Sequence, residues 1–192
     1  MDRALLKLLG RIVIAAALLS GCATSYLLDN NVHSFSSLTV MPAQPAYRFE
    51  RLPSQQSPLQ DQLEAFADAP LHSAGLRRDD AHPVYSVQVA ARVDWVDPWT
   101  GWGWGGWGGW GMGHYGWGTG FGWRMEPPWY HREVSLIVRE ISSSRVVFET
   151  HASNDGPWLE DNEVFPAMFQ AALQGFPQPP PGPRRVDIPV GR

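Results

Sequence analysis

The strictest alternation in the chain runs from Pro83 to Pro98. Tyr85, Val87, Val89, Ala91, Val93 and Trp95 fall on one face, and Ser86, Gln88, Arg92 and Asp94 on the other. That is the pattern of an antiparallel strand with one side in water. Tyr130 to Ile141 reads as the returning strand, with Val134, Leu136 and Val138 facing in. Ser142-Ser143-Ser144 makes a short turn, and Arg145 to Ala152 is the next strand of the meander. The face assignment is less clean there, because Ile137, Ile141 and Phe148 are apolar out of phase. Upstream, Tyr47 to Leu52 alternates with Tyr47, Phe49 and Arg51 on one side, and Pro53 closes it.

Two helices are marked by their ends as well as by their spacing. Ser57-Pro58-Leu59-Gln60 joins an N-cap, a proline at the first helical position and a capping-box glutamine. Leu59, Leu63, Phe66 and Ala67 then form an apolar stripe at helical spacing. Pro70 is expected to kink or end this helix. Gly75 is its left-handed cap, with Leu76 folding back as the apolar partner. Asn162 to Gly175 is the second helix, with Val164, Phe165, Met168, Phe169, Ala172, Leu173 and Phe176 on its buried side. Pro166 should lie in its first turn or mark a late start. Gly175-Phe176-Pro177 ends it, since the glycine turns the chain and the proline cannot continue the helix. Gln178 to Pro183 is a polyproline segment, and Arg184 to Val190 a short final strand. The predicted order is β-α-β-β-β-α-β. It implies an α+β two-layer sandwich, a mainly antiparallel sheet with two helices on one face and a long Gly/Trp-rich hairpin loop.

The N-terminus carries a different signal. Arg3, Lys7 and Arg11 precede a short apolar run, Ile12 to Leu19, too short to span a bilayer as a helix. Leu19-Ser20-Gly21-Cys22 fits the lipobox of a bacterial lipoprotein, in which the Cys22 thiol takes a diacylglyceryl group and its freed amine is acylated, a palmitate-type modification. Several acyl chains hold firmly because each buried CH₂ contributes roughly 0.8 kcal/mol. Ala23, rather than Asp, follows the cysteine, which points to the outer membrane. The expected division is a signal peptide at 1–21, a lipid-anchored tether at 22–45, and a single domain at 46–192 with its Gly/Trp-rich loop at 99–129 and a Pro-rich C-terminal segment. Within the tether, Val32, Phe35, Leu38 and Val40 are suited to a first edge strand.

Composition narrows the function classes. Cys22 is the one cysteine, so a disulfide and a thiolate metal cluster within the chain are both excluded. Removing residues 1–21 leaves twelve Arg against eighteen carboxylates, near −6. That balance argues against nucleic acid, which draws on clustered Lys and Arg. Lys7 is the only lysine, so the processed chain has no lysine for Schiff-base chemistry or a P-loop.

The stretch Thr100 to Trp123, TGWGWGGWGGWGMGHYGWGTGFGW, has no Asp, Glu, Lys or Arg, and carboxylates appear only outside its ends. Trp99, Trp102, Trp104, Trp107, Trp110, Tyr115, Trp117, Phe121 and Trp123 are its candidate contact surface. Nine of the ten tryptophans lie between Trp95 and Trp129, which would leave a large apolar patch if all faced water. Trp offers a broad apolar face with one N–H donor, suited to a membrane interface or to stacking on a sugar or peptide. The segment is therefore either a contact surface that orders on binding or a hairpin tip folded over its own sheet.

Several stretches together resemble one family. These are the lipobox, Phe35 to Leu38 (FSSL), Tyr47 to Gln56 (YRFERLPSQQ), Ala74 to Ala81 (AGLRRDDA), Tyr85 to Val93 (YSVQVAARV), Arg132 to Ser153 (REVSLIVREISSSRVVFETHAS) and Leu173 to Pro177 (LQGFP). In this order they are similar to the bacterial envelope lipoproteins grouped as domain of unknown function family 4136. The resemblance implies a small periplasm-facing α+β domain on a lipid anchor and brings no catalytic residues. The long Trp-rich loop departs from the shorter Tyr- or Trp-Gly hairpin of many members.

Candidate chemistry is sparse. His114 and His131 fall short of the four ligands of a structural metal site, and the reading is no metal and no cofactor. Asp94, Asp97 and Glu126 at the loop ends read as solvated strand-end charges that discourage edge pairing. His151 with Asp155 and Ser153 lacks the elbow and oxyanion-hole signatures of a hydrolase. His33, His72 and His82 have no evident partners. The leading expectation is a non-enzymatic outer-membrane lipoprotein whose hairpin contacts lipid, peptidoglycan or another envelope protein, with no nucleic acid. The alternatives are a purely structural lipoprotein with its loop packed on itself, or a metal-dependent or hydrolytic envelope enzyme.

Overall fold

The computed structural model describes residues 25–96, 129–157 and 161–191. Seven strands make one sheet: β1 (Ser25–Ser36), β2 (Ala46–Phe49), β3 (Arg77–Arg78), β4 (Tyr85–Val96), β5 (Trp129–Glu140), β6 (Arg145–Pro157) and β7 (Arg184–Gly191). Their spatial order is β3-β2-β4-β5-β6-β1-β7. The helices are α1 (Pro58–Ser73) and α2 (Asp161–Ala172), with a short 3-10 turn at Pro53–Gln55. The sheet is mixed: β2 runs parallel to both β3 and β4, and every other pairing is antiparallel. The α+β architecture expected from the pattern is the one observed, with both helices meeting the sheet through its buried face. α1 lies toward β4 and β3, and α2 toward β5, β6, β1 and β7.

The core is the inward face of the meander under these helices. Val87, Val89, Val134, Leu136, Val138, Phe148 and Ala152 meet Leu63, Ala67, Leu71, Val164, Met168 and Phe169, all buried. The out-of-phase apolar residues of the third strand have a local cause. Val138 pairs with Phe148 while Arg139 pairs with Val146, so a β-bulge inserts Val147. Val147 and Phe148 are consequently both buried although adjacent.

Three expectations are corrected. Residues 25–36, expected within a tether or at most as an edge strand, form a twelve-residue strand that pairs with β6 on one side and β7 on the other. Apolar and polar residues alternate on its buried face as Leu28, Asn30, Val32 and Ser34. Asn30 donates to the carbonyls of Leu28 and Val186, and the Ser34 hydroxyl lies 2.8 Å from that of Thr150. These bonds offset the burial of the Asn30 amide nitrogen and the Ser34 hydroxyl, while the Asn30 Oδ1 stays buried without a partner among the described residues. The stripe of α1 is rotated from the expected one. Gln60, Leu63, Glu64, Ala67 and Leu71 are buried, while Leu59 is 74% exposed. Glu64 is held by Arg51 through a two-pronged pair, Nε to Oε1 at 2.5 Å and Nη2 to Oε2 at 2.7 Å. Gln60 donates to the Val89 carbonyl. Neither proline ends its helix: Pro70 lies inside α1 and Pro166 inside α2, past the first turn.

The helix stops form as expected. Gly75 has φ +96°, its N–H bonds His72 O, and the Leu76 N–H bonds Leu71 O at 3.0 Å. That is a Schellman cap with Leu76 buried beneath it. Gly175 has φ +86°, and Phe176 packs edge-on against Phe148 with ring centroids 4.9 Å apart. Thr150 donates to Ala172 O, and Arg184 to Gln174 O, tying β6 to the end of α2 and β7 to the turn that follows it.

Phe169 is fully buried at the centre of the helix-to-sheet contact. Its replacement by Ala should cost about 3–5 kcal/mol, measured by chemical denaturation. Tyr47 tests a second contact. Its buried hydroxyl donates to Asp68 of α1 at 2.6 Å. Burial first, and then that bond, push its pKa far above the ordinary 10. Above about pH 10 the unfolded chain releases the phenolic proton while the folded chain keeps it. Stability therefore falls as pH rises through that range. Tyr47→Phe should weaken folding by roughly 1–2 kcal/mol at neutral pH and flatten the alkaline part of the stability profile.

Candidate contact surface

The β4–β5 hairpin outgrows the helices that cover it. Twelve-residue strands reach about 40 Å, against roughly 24 Å for sixteen helical residues. On the helix side of β4, Val87 and Val89 are buried, but Val93 is 45% exposed and Trp95 63%. Opposite them in register are Arg132 and Tyr130, with Trp129 across from Val96. Trp129, on the opposite face, is 46% exposed. Strand β1 starts at this same end: Ser25 pairs with Gly191, and Tyr26 and Leu27 are 41% and 60% exposed. One end of the sheet thus gathers five exposed large apolar side chains from three strands.

Under that end lies a polar row on the buried face. Arg132, 1% exposed, sits over the Tyr130 ring at 5.2 Å and pairs in register with Asn154, which donates to Asp29 O at 2.8 Å. Asn30 lies in the neighbouring strand, also buried. The sequence carried a signal for Arg132: extending the inward alternation of Val138, Leu136 and Val134 by two residues reaches it. Asn30 and Asn154 had none, since both stand in stretches that read as polar.

The opposite face is a mosaic of charges. Arg92 pairs with Asp94 at 2.7 Å, and Arg185 with Asp187 at 2.8 Å. His131 Nδ1 lies 2.6 Å from Asp155, and His151 lies 2.9 Å from Glu149 and 3.4 Å from Glu133. Asp155 therefore serves His131 rather than His151, and the considered set of His151, Asp155 and Ser153 is not assembled as a relay. Among the described residues, no group of three His, Cys, Asp or Glu is placed to hold a metal ion. Cys22, Trp99, Trp102, Trp104, Trp107, Trp110, Tyr115, Trp117, Phe121 and Trp123 lie outside the described residues, as do Asp97, His114 and Glu126.

A trough of about 780 Å³ adjoins the exposed part of β4. Leu59, Leu63 and Phe66 of α1, Ala91 and Val93 of β4, and Phe165 of α2 give it apolar walls. Gln62 bridges the two helices there by donating to Asn162 at 3.1 Å.

A family model, Domain of unknown function (DUF4136), matches residues 30–178. The chain belongs to this family. The matched span runs from within β1 to just past α2, so the hairpin and both helices are all DUF4136 structure. No curated protein sequence matches the chain. Among solved structures, a PDZ domain protein from Parabacteroides distasonis is similar at 12% identity and TM-score 0.53, over 93% of this chain and 42% of that one. The PelC dodecamer from Paraburkholderia phytofirmans is similar at 13% identity and TM-score 0.48, over 79% of this chain and 99% of that one. A substituted form of the same dodecamer gives 12%, 0.47, 75% and 94%. At such identities the likeness concerns the fold alone. Among the described residues, no helix of this DUF4136 chain is long and apolar enough to cross a membrane.

The charge mosaic has a measurable consequence. The histidine side chains in it are more than a third exposed, and exposed pairs contribute little. Replacing His131 and His151 together with Ala should change the unfolding free energy by less than about 1 kcal/mol in a denaturant titration.

Proposed function

We propose that this DUF4136 chain is a non-catalytic lipoprotein, anchored through Cys22 to the outer membrane and facing the periplasm, whose aromatic hairpin end contacts the membrane that anchors it. One observation carries the reading. The start of β1, the end of β4 and the start of β5 lie at the same end of the sheet. Ser25 is three residues after Cys22, a reach of about 10 Å at most. A lipid on Cys22 would therefore hold that end close to the bilayer, together with both strands that lead into the Trp-rich segment.

The side chains already at that end suit such a position. Tyr26, Trp95 and Trp129 are exposed aromatics with polar tips, and Leu27 and Val93 add apolar surface. Trp and Tyr favour the boundary between headgroups and acyl chains, where one edge of the ring is wet and the rest is not. The reading is non-catalytic because His131 is held by Asp155, and His151 by Glu133 and Glu149, in pairs on the charged face rather than in a relay.

Tryptophan emission tests it, since nine of the ten rings belong to the hairpin region. Residues 23–192 would be titrated with vesicles of phosphatidylethanolamine and phosphatidylglycerol, and separately with soluble peptidoglycan fragments. A blue shift with vesicles, reduced by replacing Trp95 and Trp129 with Ser, is the expected result. A shift with peptidoglycan fragments alone would move the contact to the cell wall. Emission already blue and indifferent to both would assign the rings to internal packing and overturn the contact role.

A further inference from the structure

β4 is a central strand with half of one edge open. Its partner on that side, β2, has four residues and pairs only with Tyr85, Ser86 and Val87. Past this point the Glu50 N–H bonds Val87 O, and the side-chain amides of Gln55 and Gln60 both donate to Val89 O at 3.1 Å. These bonds show which way the strand is turned: the odd-numbered residues direct N–H and C=O away from β5. Ala91, Val93 and Trp95 continue that row, and among the described residues no strand and no hydrogen bond meets it. The trough runs beside the same stretch. It is lined by Ala90 from one face of β4 and by Ala91 and Val93 from the other, so it follows the strand edge.

From this geometry we infer that the β4 edge from Ala91 to Trp95 is a docking site for an extended, uncharged peptide segment of a partner polypeptide, added to the sheet as a strand. Main-chain groups spaced along an open edge are complementary to another main chain. No charged side chain lines the trough, and its polar lining consists of amides and hydroxyls such as Gln62, Asn162 and Ser54. Alternate side chains of the added strand would rest against Leu59, Phe66 and Phe165. On the other face they would pass Arg92 and Asp94, which neutralise each other at 2.7 Å. The open row matches a strand of five to six residues, the ordinary length. Leu59, left 74% exposed by the rotation of α1, stands at the wall of this trough. The site does not rest on the membrane reading: the edge is lateral, and a partner strand would bind it whether or not Cys22 carries lipid.

The test uses the full-length chain in detergent and a capped hexapeptide of alternating Thr and Val, followed by amide hydrogen exchange. The peptide should slow exchange at Ala91, Val93 and Trp95 at least tenfold, and its fully N-methylated twin should not. Val93→Pro removes one outward N–H and leaves the inward bonds of Arg92 and Asp94 to β5, as edge prolines do. It should weaken peptide binding roughly fivefold, the worth of one hydrogen bond. Unchanged protection of the β5 amides would show that the variant is folded. Equal binding of the N-methylated twin, or no protection at millimolar peptide, would overturn the site. Protection of the three amides without peptide would overturn it as well. If that protection grows with protein concentration the occupant is a second copy of this chain, and if it does not the edge is covered from within the chain.

Discussion

The structure depends on a mismatch of lengths. A strand advances more than twice as far per residue as a helix, and this chain sets two helices of sixteen and twelve residues against strands of twelve and thirteen. The helices can cover only part of such a sheet. Where they lie, Val87, Val89, Leu136 and Phe148 are dry. Beyond them the same alternating face of β4 emerges into solvent at Val93 and Trp95. The exposed aromatic end follows from this geometric fact, and the open edge of β4 from the four-residue length of β2.

Polar side chains manage the boundary between covered and uncovered sheet. β2 is too short to accompany β4, and two glutamine amides take over from it at Val89 O. Arg51, just after β2, clamps Glu64 and also reaches Asp61 at 2.7 Å, which fixes the N-terminal half of α1 over the point where β2 leaves the sheet. These carboxylates raise the pKa of Arg51 further, so the clamp stays charged at any physiological pH. At the other end of the helix layer, Thr150 bonds the last carbonyl of α2, at Ala172, and Arg184 bonds Gln174 O two residues beyond it. The layer is thus pinned at both limits by hydrogen bonds between side chains and the main chain, while its middle is held by apolar packing.

Elements with one clean face and marked ends were legible from sequence. β4 and β5 alternate over long runs, and Ser57, Gly75 and Gly175 mark helix ends by local chemistry that needs no tertiary context. The misses have a common physical source. β1 scatters apolar residues over both faces, with Leu27 and Phe35 outward and Asn30 and Ser34 inward, because the inward polar groups find bonds far away in sequence, Asn30 to Val186 O and Ser34 to Thr150. Gln60 and Glu64 displace Leu59 from the buried stripe for the same reason: their partners, Val89 O and Arg51, come from other elements. The bulge at Val147 shifts the period by one residue, which a single strand cannot reveal. Of the candidate site, the aromatic residues were legible as a class. Their position relative to the N-terminus was not, since it depends on strand order.

Strand order is what joins the two signals of the sequence. A lipobox and a Trp-rich segment lie some eighty residues apart in the chain, and by themselves they imply nothing about each other. Inserting β1 between β6 and β7, antiparallel to both, brings the first residues of β1 to the end where β4 finishes and β5 begins. Had β1 run the other way, the hairpin would extend away from an anchor at Cys22, and the exposed rings of Trp95 and Trp129 would face the periplasm. With the observed direction, an anchor at Cys22 would share one end of the sheet with the exposed rings of Tyr26, Trp95 and Trp129. The same direction leaves the open edge of β4 on the flank, across the hairpin from β6, β1 and β7. Contact with a bilayer would then use exposed side chains at the end of the sheet, and capture of a peptide strand the main-chain edge along its flank, the two surfaces meeting at Val93 and Trp95.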